Sequence, residues 1–412
     1  MTTTDTAALL TRLHERDWSR LVGALTRLTR DPDLAEEAVS DAYAAALRRW
    51  PVDGPPSEPA AWLHATARNR VLDRYRRDQR LAARIPALGR EAEHYPTDRD
   101  ELGLLFACCH PALGMPARVA VTLRLVGGLE TAQIARLFLV AEATVAQRIV
   151  RAKRRLRDGD LTLAVPPPER WAERLDAVLA VLYLVFTEGY APSDGPDLVR
   201  PGLCEEALRL AERLPRLLPD EPEPVALVAL MRLQHSRRDA RTGSRGQLVR
   251  LAEQDRTRWD RADIGRGIPL TERALRLGRR AGRPGPYQIQ AAIAAVHAEA
   301  EDPAATDWDQ IVALYGVLFQ VAPSPIAELN RAIAVAEAGG DPASAEKALA
   351  LLTPLGESLV SNHLHHAARA ELLRRGGRVP EAIAALRRAH ELARTTPERR
   401  HLATQLDELI AR

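Results

Sequence analysis

Aromatic side chains make up only 4% of this 412-residue sequence. That scarcity argues against sheet, because strands favour Tyr, Phe and Trp together with Val and Ile. Cysteine is as scarce: Cys108, Cys109 and Cys204 cannot build a disulfide framework, and a reduced, cytoplasmic setting is the simplest reading. The adjacent Cys108 and Cys109 lack the spacing usual between metal ligands, so neither metal nor cofactor is expected. No stretch approaches the roughly 20 apolar residues that span a bilayer. Residues 1–11 have neither the basic start nor the apolar run of a signal peptide, so no membrane partner is expected. Phosphate loops, nucleophile elbows and His-Glu metal motifs are all missing. No catalytic residue is therefore assigned, and the chain reads as a non-enzyme.

What is abundant is Ala, Leu, Arg and Glu, strong helix formers. With 46% hydrophobic residues the chain can bury several cores, and its length suits two to four domains. The expected fold class is all-α. The formal net charge of +3 says little, but its distribution says more. Between residues 68 and 84 the local charge is +5, and between 148 and 157 it is +6. Each run alone reads most simply as a solvated helix face. Two of them on amphipathic helices make nucleic acid a serious candidate.

Punctuation divides the chain. Asp31-Pro32-Asp33 caps a helix over residues 34–50, a Pro-rich loop fills 51–59, and a second helix runs from Ala60 to about Leu81. Residues 85–99 read as a linker, 100–159 as a second helical block, and Pro166-Pro167-Pro168 as an extended spacer. Gly282-Arg283-Pro284-Gly285-Pro286 splits the remainder. Beyond it, the pairs Gly339-Gly340 and Gly376-Gly377 lie 37 residues apart, near the period of tetratricopeptide hairpins.

In residues 142–157, Val145, Ile149, Ala152 and Leu156 fall on one stripe, with Thr144, Gln147, Arg148, Arg151, Arg154 and Arg155 opposite. Two short helices, 116–126 and 131–138, precede it. That is the pattern of a helix-turn-helix, whose last helix enters the major groove and whose Arg and Gln reach bases and phosphates. A generic surface helix is the bland alternative. Between 60 and 80, Leu63, Ala67, Val71 and Tyr75 form a stripe opposite Asn69, Asp73, Arg76 and Arg80. Trp50 and Trp62 lie ahead of it, either as core residues or as aromatics beside single-stranded nucleic acid. The helix 34–50 carries Asp33, Glu36, Glu37 and Asp41 early and Arg48 and Arg49 late. This order complements the helix dipole and also suits an acidic docking face.

These segments, in this order, resemble extracytoplasmic-function (ECF) sigma factors, bacterial transcription initiation factors. Residues 33–43, DLAEEAVSDAY, resemble the family's core-polymerase-binding helix, and 59–77, PAAWLHATARNRVLDRYRR, its minus-ten recognition and melting helix. Thr144-Val145, with Arg151-Ala152-Lys153 through Leu156-Arg157, resembles the minus-thirty-five recognition helix. Ala107-Cys108-Cys109-His110-Pro111 and several later segments, among them 182–190 and 285–293, resemble a subgroup with a tetratricopeptide-like extension. The resemblance implies sigma region 2 over 8–84, a linker over 85–99 and region 4 over 100–160. It further implies a Pro-rich linker over 161–170, a helical extension over 171–283 and a tetratricopeptide-like domain over 284–412.

The site residues it implies are Asp33, Glu36, Glu37 and Asp41 for core RNA polymerase. For the minus-ten element they are Trp62, Arg68, Asn69, Asp73, Arg76 and Arg77, and for the minus-thirty-five element Thr144, Gln147, Arg148, Arg151, Arg154 and Arg155. Promoter DNA and core RNA polymerase are the expected partners, with an unidentified partner or ligand for the extension. Glu188, Tyr190, Asp194, Asp255 and Arg256 read either as a groove or as buried ion pairs, and Asn362 to His366 as a helix face or a polar site. The competing readings are a helix-turn-helix activator with a helical sensor domain and an enzyme with a basic accessory domain.

Overall fold

The computed structural model describes residues 3–77, 96–138, 140–158, 171–192, 195–243, 247–280, 282 and 284–411. It divides into two compact units, 1–184 and 185–412. Among the described residues there are helices and two isolated bridges but no strand, as the poverty in aromatics anticipates. The linkers expected at 85–99 and 161–170 lie largely or wholly outside the described residues.

The first unit opens with α1 (Thr3–Thr29), α2 (Pro32–Asp53) and α3 (Pro59–Arg77). Asp31 caps α2 by accepting from the backbone N–H groups of Asp33 and Leu34, with Pro32 in the first turn. Pro51, expected to open a loop, instead lies inside α2, which runs on to Asp53 and stops at Gly54 with φ 78°. A proline in a last turn forfeits a single backbone bond, and the stop falls where glycine tolerates the left-handed side of φ. The expected stripe Leu63, Ala67, Val71 and Tyr75 buries α3 completely along one side. Residues 78–81 of the expected helix are outside the described residues.

Four helices follow: α4 (Asp98–Cys108), α5 (Met115–Leu125), α6 (Thr131–Phe138) and α7 (Glu142–Asp158). Leu104, Leu105, Leu123, Leu125 and Ile134 fill their core. This bundle packs directly on α1 and α2. Trp18 donates its indole N–H to the Leu125 carbonyl (3.0 Å), and Arg27 meets Asp100 at 2.7 Å. Gly128, at φ 73°, faces His14 and Trp18 so closely that a Cβ would collide with the imidazole. Helix α8 (Trp171–Tyr190) ends the first unit and enters the second.

In the second unit come α9 (Pro201–Ala211), α10 (Leu214–Leu217), α11 (Pro222–His235), α12 (Arg261–Arg280), α13 (Pro286–Glu299) and α14 (Trp308–Val321). After them come α15 (Pro325–Gly339), α16 (Pro342–Leu352), α17 (His363–Arg375), α18 (Val379–Leu392) and α19 (Thr396–Ile410). From α13 to α19 each helix packs on its neighbour in the chain. Ala332, Ala336, Ala345, Ala348, Ala382, Ala385 and Ala389 form the seams, small side chains that let helix axes approach. Both glycine pairs sit at helix ends; Gly340 and Gly377 take φ 67° and 74°, the left-handed cap for which glycine carries no steric penalty. Asp341 then caps α16 through the Ser344 N–H at 2.7 Å.

Candidate nucleic-acid interface

Helix α7 divides into two faces. Val145, Ile149, Ala152 and Leu156 are buried, while Gln147, Arg151, Arg154 and Arg155 are exposed and Thr144 and Arg148 half-buried. Arg154 touches Asp158 at 3.2 Å in an exposed pair, and Arg155 donates to the Ala112 carbonyl. Exposed pairs of this kind are worth little, so Arg154 can exchange its partner for a phosphate. The first turn of α7 projects Thr144 and Gln147 from the end of the helix that a helix-turn-helix presents to base edges. An open cationic face is therefore present. Sequence reasoning missed Val150, which is 64% exposed beside these arginines; the signal was an apolar residue off the core stripe.

Helix α3 presents a second polar face. Asn69, Asp73, Arg76 and Arg77 are exposed and Arg68 half-buried. Asp73 accepts from Arg76 at 3.1 Å and, through its carbonyl, from Arg77 at 3.2 Å. Asp73 thus organises two cations. Trp50 is buried, and the half-buried Trp62 meets it edge-on, ring centroids 5.4 Å apart. Trp62 is therefore anchored on the core by one edge while lying at the start of the face. Val52, 84% exposed, was not anticipated; it precedes the non-helical stretch from Gly54 to Glu58.

The acidic residues of α2 do not share one environment. Glu37 and Asp41 are exposed, Asp41 lying 3.9 Å from Arg70. Asp33 is also exposed, yet it contacts Lys153 at 2.9 Å and Arg157 at 3.3 Å. Glu36 is only 6% exposed; it accepts from Lys153 at 2.5 Å and pairs with Arg124. Lys153, itself buried, thus bridges two carboxylates of α2 from the flank of α7. A compact ammonium can sit between two acceptors where a planar guanidinium fits poorly. Lys153 and Lys347 are the chain's lysines, against a great excess of arginine.

The weaker sequence signals resolve into packing. Cys108 and Cys109 are fully buried. Burial pushes the Cys108 thiol well above its ordinary value and Cys109 up to about 12. Cys204 is likewise raised to about 12 by burial. No group of three potential metal ligands occurs among the described residues. In the second unit Glu188 pairs with Arg200 at 3.0 Å, the Tyr190 ring lies under Arg241, and Asp255 caps the turn at Thr257. Buried Arg256 donates to the carbonyls of His297 and Ala300 and to Thr306. Asp194 lies outside the described residues. Of residues 362–366, Asn362 caps α17 and His363 meets Glu398 at 3.3 Å.

Residues 13–81 match the family described as Sigma-70 region 2, and residues 105–156 match Sigma-70, region 4. A relative named ECF RNA polymerase sigma factor SigK, from Mycobacterium sp. (strain JLS), is 30% identical over 155 residues, 36% of this chain and 77% of its own length. The chain belongs to the ECF sigma factors. A second relative, ECF RNA polymerase sigma factor SigL of Mycobacterium tuberculosis (strain ATCC 25618 / H37Rv), is 31% identical over 37% of this chain and 88% of its own. An uncharacterised protein of Rhizobium meliloti (strain 1021) is 45% identical over 95% of this sigma factor and 93% of its own length. Residues 174–275 match a family of unknown function, DUF6596. No solved structure matches.

As a sigma factor the chain directs transcription initiation, with core RNA polymerase and promoter DNA as partners, and it is not an enzyme. A helix-turn-helix activator would carry no region 2, which sets that alternative aside. No helix among the described residues is long and apolar enough to cross a membrane.

Proposed function

We propose that this sigma factor reads the minus-thirty-five element with α7 and opens the minus-ten element with α3. Arg148, Arg151, Arg154 and Arg155 meet phosphates and guanines, Thr144 and Gln147 reach base edges, and Val150 rests on a thymine methyl group. Arg68, Asn69, Asp73, Arg76 and Arg77 line the minus-ten strand, and Trp62 stacks at its edge. Residues 51–61, with Val52 at their exposed end, receive an unstacked base; flipping costs a few kcal/mol, offset by stacking and by the polymerase. Asp33, Glu36, Glu37 and Asp41 supply the docking face for polymerase on α2. Region 2 corresponds to residues 8–84, region 4 to 100–160, and the extension to 171–412.

The observation that carries this reading is the exposed cationic face of α7 opposite a fully buried stripe. Run-off transcription by core polymerase with the full chain tests it: Arg151→Ala with Arg154→Ala lowers promoter affinity at every sequence. Each lost phosphate contact also reduces the salt slope by about 1. Unchanged affinity and slope would remove α7 from the DNA.

The extension, in this proposal, regulates the sigma regions or holds a partner from the seat provided by residues 284–412. Comparing run-off by the full chain with that of a chain ended at residue 184 tests it; equal output at all concentrations would leave it without a role in initiation. The buried, reduced cysteines suit work in the cytoplasm, where the polymerase is.

A further inference from the structure

Region 4 lies against the same edge of region 2 that the polymerase is proposed to use. Two separate ionic contacts hold it there. At one, Arg20 of α1 reaches Asp98 (2.5 Å) and Glu101 (3.5 Å) of α4, and Arg27 reaches Asp100. At the other, Lys153, Arg124 and Arg157 close over Asp33 and Glu36 of α2. The second differs from the first in what it covers. Glu36 is buried only because region 4 is there, so that carboxylate cannot meet a partner while the contact lasts.

Dimensions make the contact incompatible with work at a promoter. The two DNA elements lie about 25 base pairs apart by their positions, or roughly 85 Å at 3.4 Å per base pair. A compact body of about 160 residues has a radius of gyration near 15 Å, hence a diameter of about 40 Å. Readers packed side by side in such a body cannot cover both elements at once. Region 4 must leave region 2 before both are read.

We propose that region 4 is an internal plug on the polymerase-docking helix, with Lys153 as its latch. In the free chain Lys153 and Arg124 neutralise Glu36, and Lys153 and Arg157 neutralise Asp33. Cationic groups of core polymerase take over these carboxylates, releasing α7 to swing out to the upstream element. Opening and polymerase binding are then one equilibrium. Whatever separates the regions strengthens polymerase binding, and polymerase strengthens promoter binding by the same factor. The free sigma factor is thereby kept off DNA without any second protein. This inference rests on the reading of α2 as the docking face.

The scarcity of lysine makes the latch directly observable. A zero-length carbodiimide reagent joins an amine to a carboxylate that it touches, and the chain has only Lys153 and Lys347 to offer besides its terminus. In the free, full-length chain, coupling is expected at Lys153 with Glu36 or Asp33, mapped as a cross-linked peptide. Adding core polymerase and promoter DNA is expected to abolish it. In parallel, Lys153→Met in the full chain is expected to bind core polymerase at least fivefold more tightly.

No coupling at Lys153 in the free chain, coupling undiminished in the initiation complex, or unchanged affinity in Lys153→Met would each overturn the plug. The docking reading is tested apart from it by Glu37→Lys with Asp41→Lys, on the uncovered part of α2. If that variant keeps full polymerase affinity while Lys153 still couples, the docking face is wrong and polymerase is not the opener. If coupling alone is missing, the latch is wrong and the docking face stands.

Discussion

Asp263 is 4% exposed and accepts from Arg232 at 2.5 Å and from His235 at 3.0 Å, with Arg238 at 3.4 Å. Burial alone would raise its carboxyl, but the bonds from His235 and Arg232 outweigh that and hold it below the usual range. Asp263→Asn leaves these cations facing a neutral group and is expected to cost about 3 kcal/mol of the second unit's stability, read as a lower urea midpoint. His297 provides a pH signature. Burial, reinforced by Arg237 and Arg256, lowers it from 6.5 to about 3, so the folded chain holds it neutral. As pH falls, the unfolded chain binds the proton first. The stability it protects is therefore complete above pH 6.5 and is lost progressively toward pH 3. Urea midpoints at pH 7 and pH 5 should differ in this direction, and His297→Leu should flatten the difference. Neither residue was foreseen as important, because each is defined by partners tens of residues away. Lys153 was quoted only as part of a DNA-binding motif for the same reason: Glu36 is 117 positions distant.

Among elements, α7 and α3 were the most legible, since a stripe of period 3.6 and its polar complement both lie within one short segment. Val145, Ile149, Ala152 and Leu156, and Leu63, Ala67, Val71 and Tyr75, are all buried as the spacing requires. Helix α2 was legible as a helix but not as a surface. Its acidic first half reads equally well as complement to a dipole or as a docking face, and only the packing of α5 and α7 separates covered Glu36 from open Glu37 and Asp41. Pro51 misled because proline ends helices by rule, whereas here it occupies a last turn that had little left to lose. The faces carry separable expectations. Val150→Asp should lower initiation at promoters with a thymine under that residue by about tenfold, the effect of 1–3 kcal/mol per base contact. Promoters lacking it should change far less. A uniform loss in run-off assays would count against the thymine contact.

At the scale of the molecule, the fold class and the order of its parts could be read from composition and punctuation. How regions 2 and 4 meet could not, because their contact is made of single charges drawn from five helices. Two weak readers tethered to one polymerase gain from each other's local concentration only when both sites are in reach. Inserting about 5 base pairs, half a turn of DNA, between the two elements should therefore reduce run-off product by more than tenfold. An insensitive promoter would mean that one region alone suffices.

The sealing of Cys108, Cys109 and Cys204 has a practical side. Thiols this deep, two of them raised to about 12, leave the folded surface blank to maleimide dyes at neutral pH. Fluorophores can accordingly be installed at cysteines substituted for exposed Arg48 and Val150 with no native sulfur removed, and energy transfer between them would follow the two regions as they part.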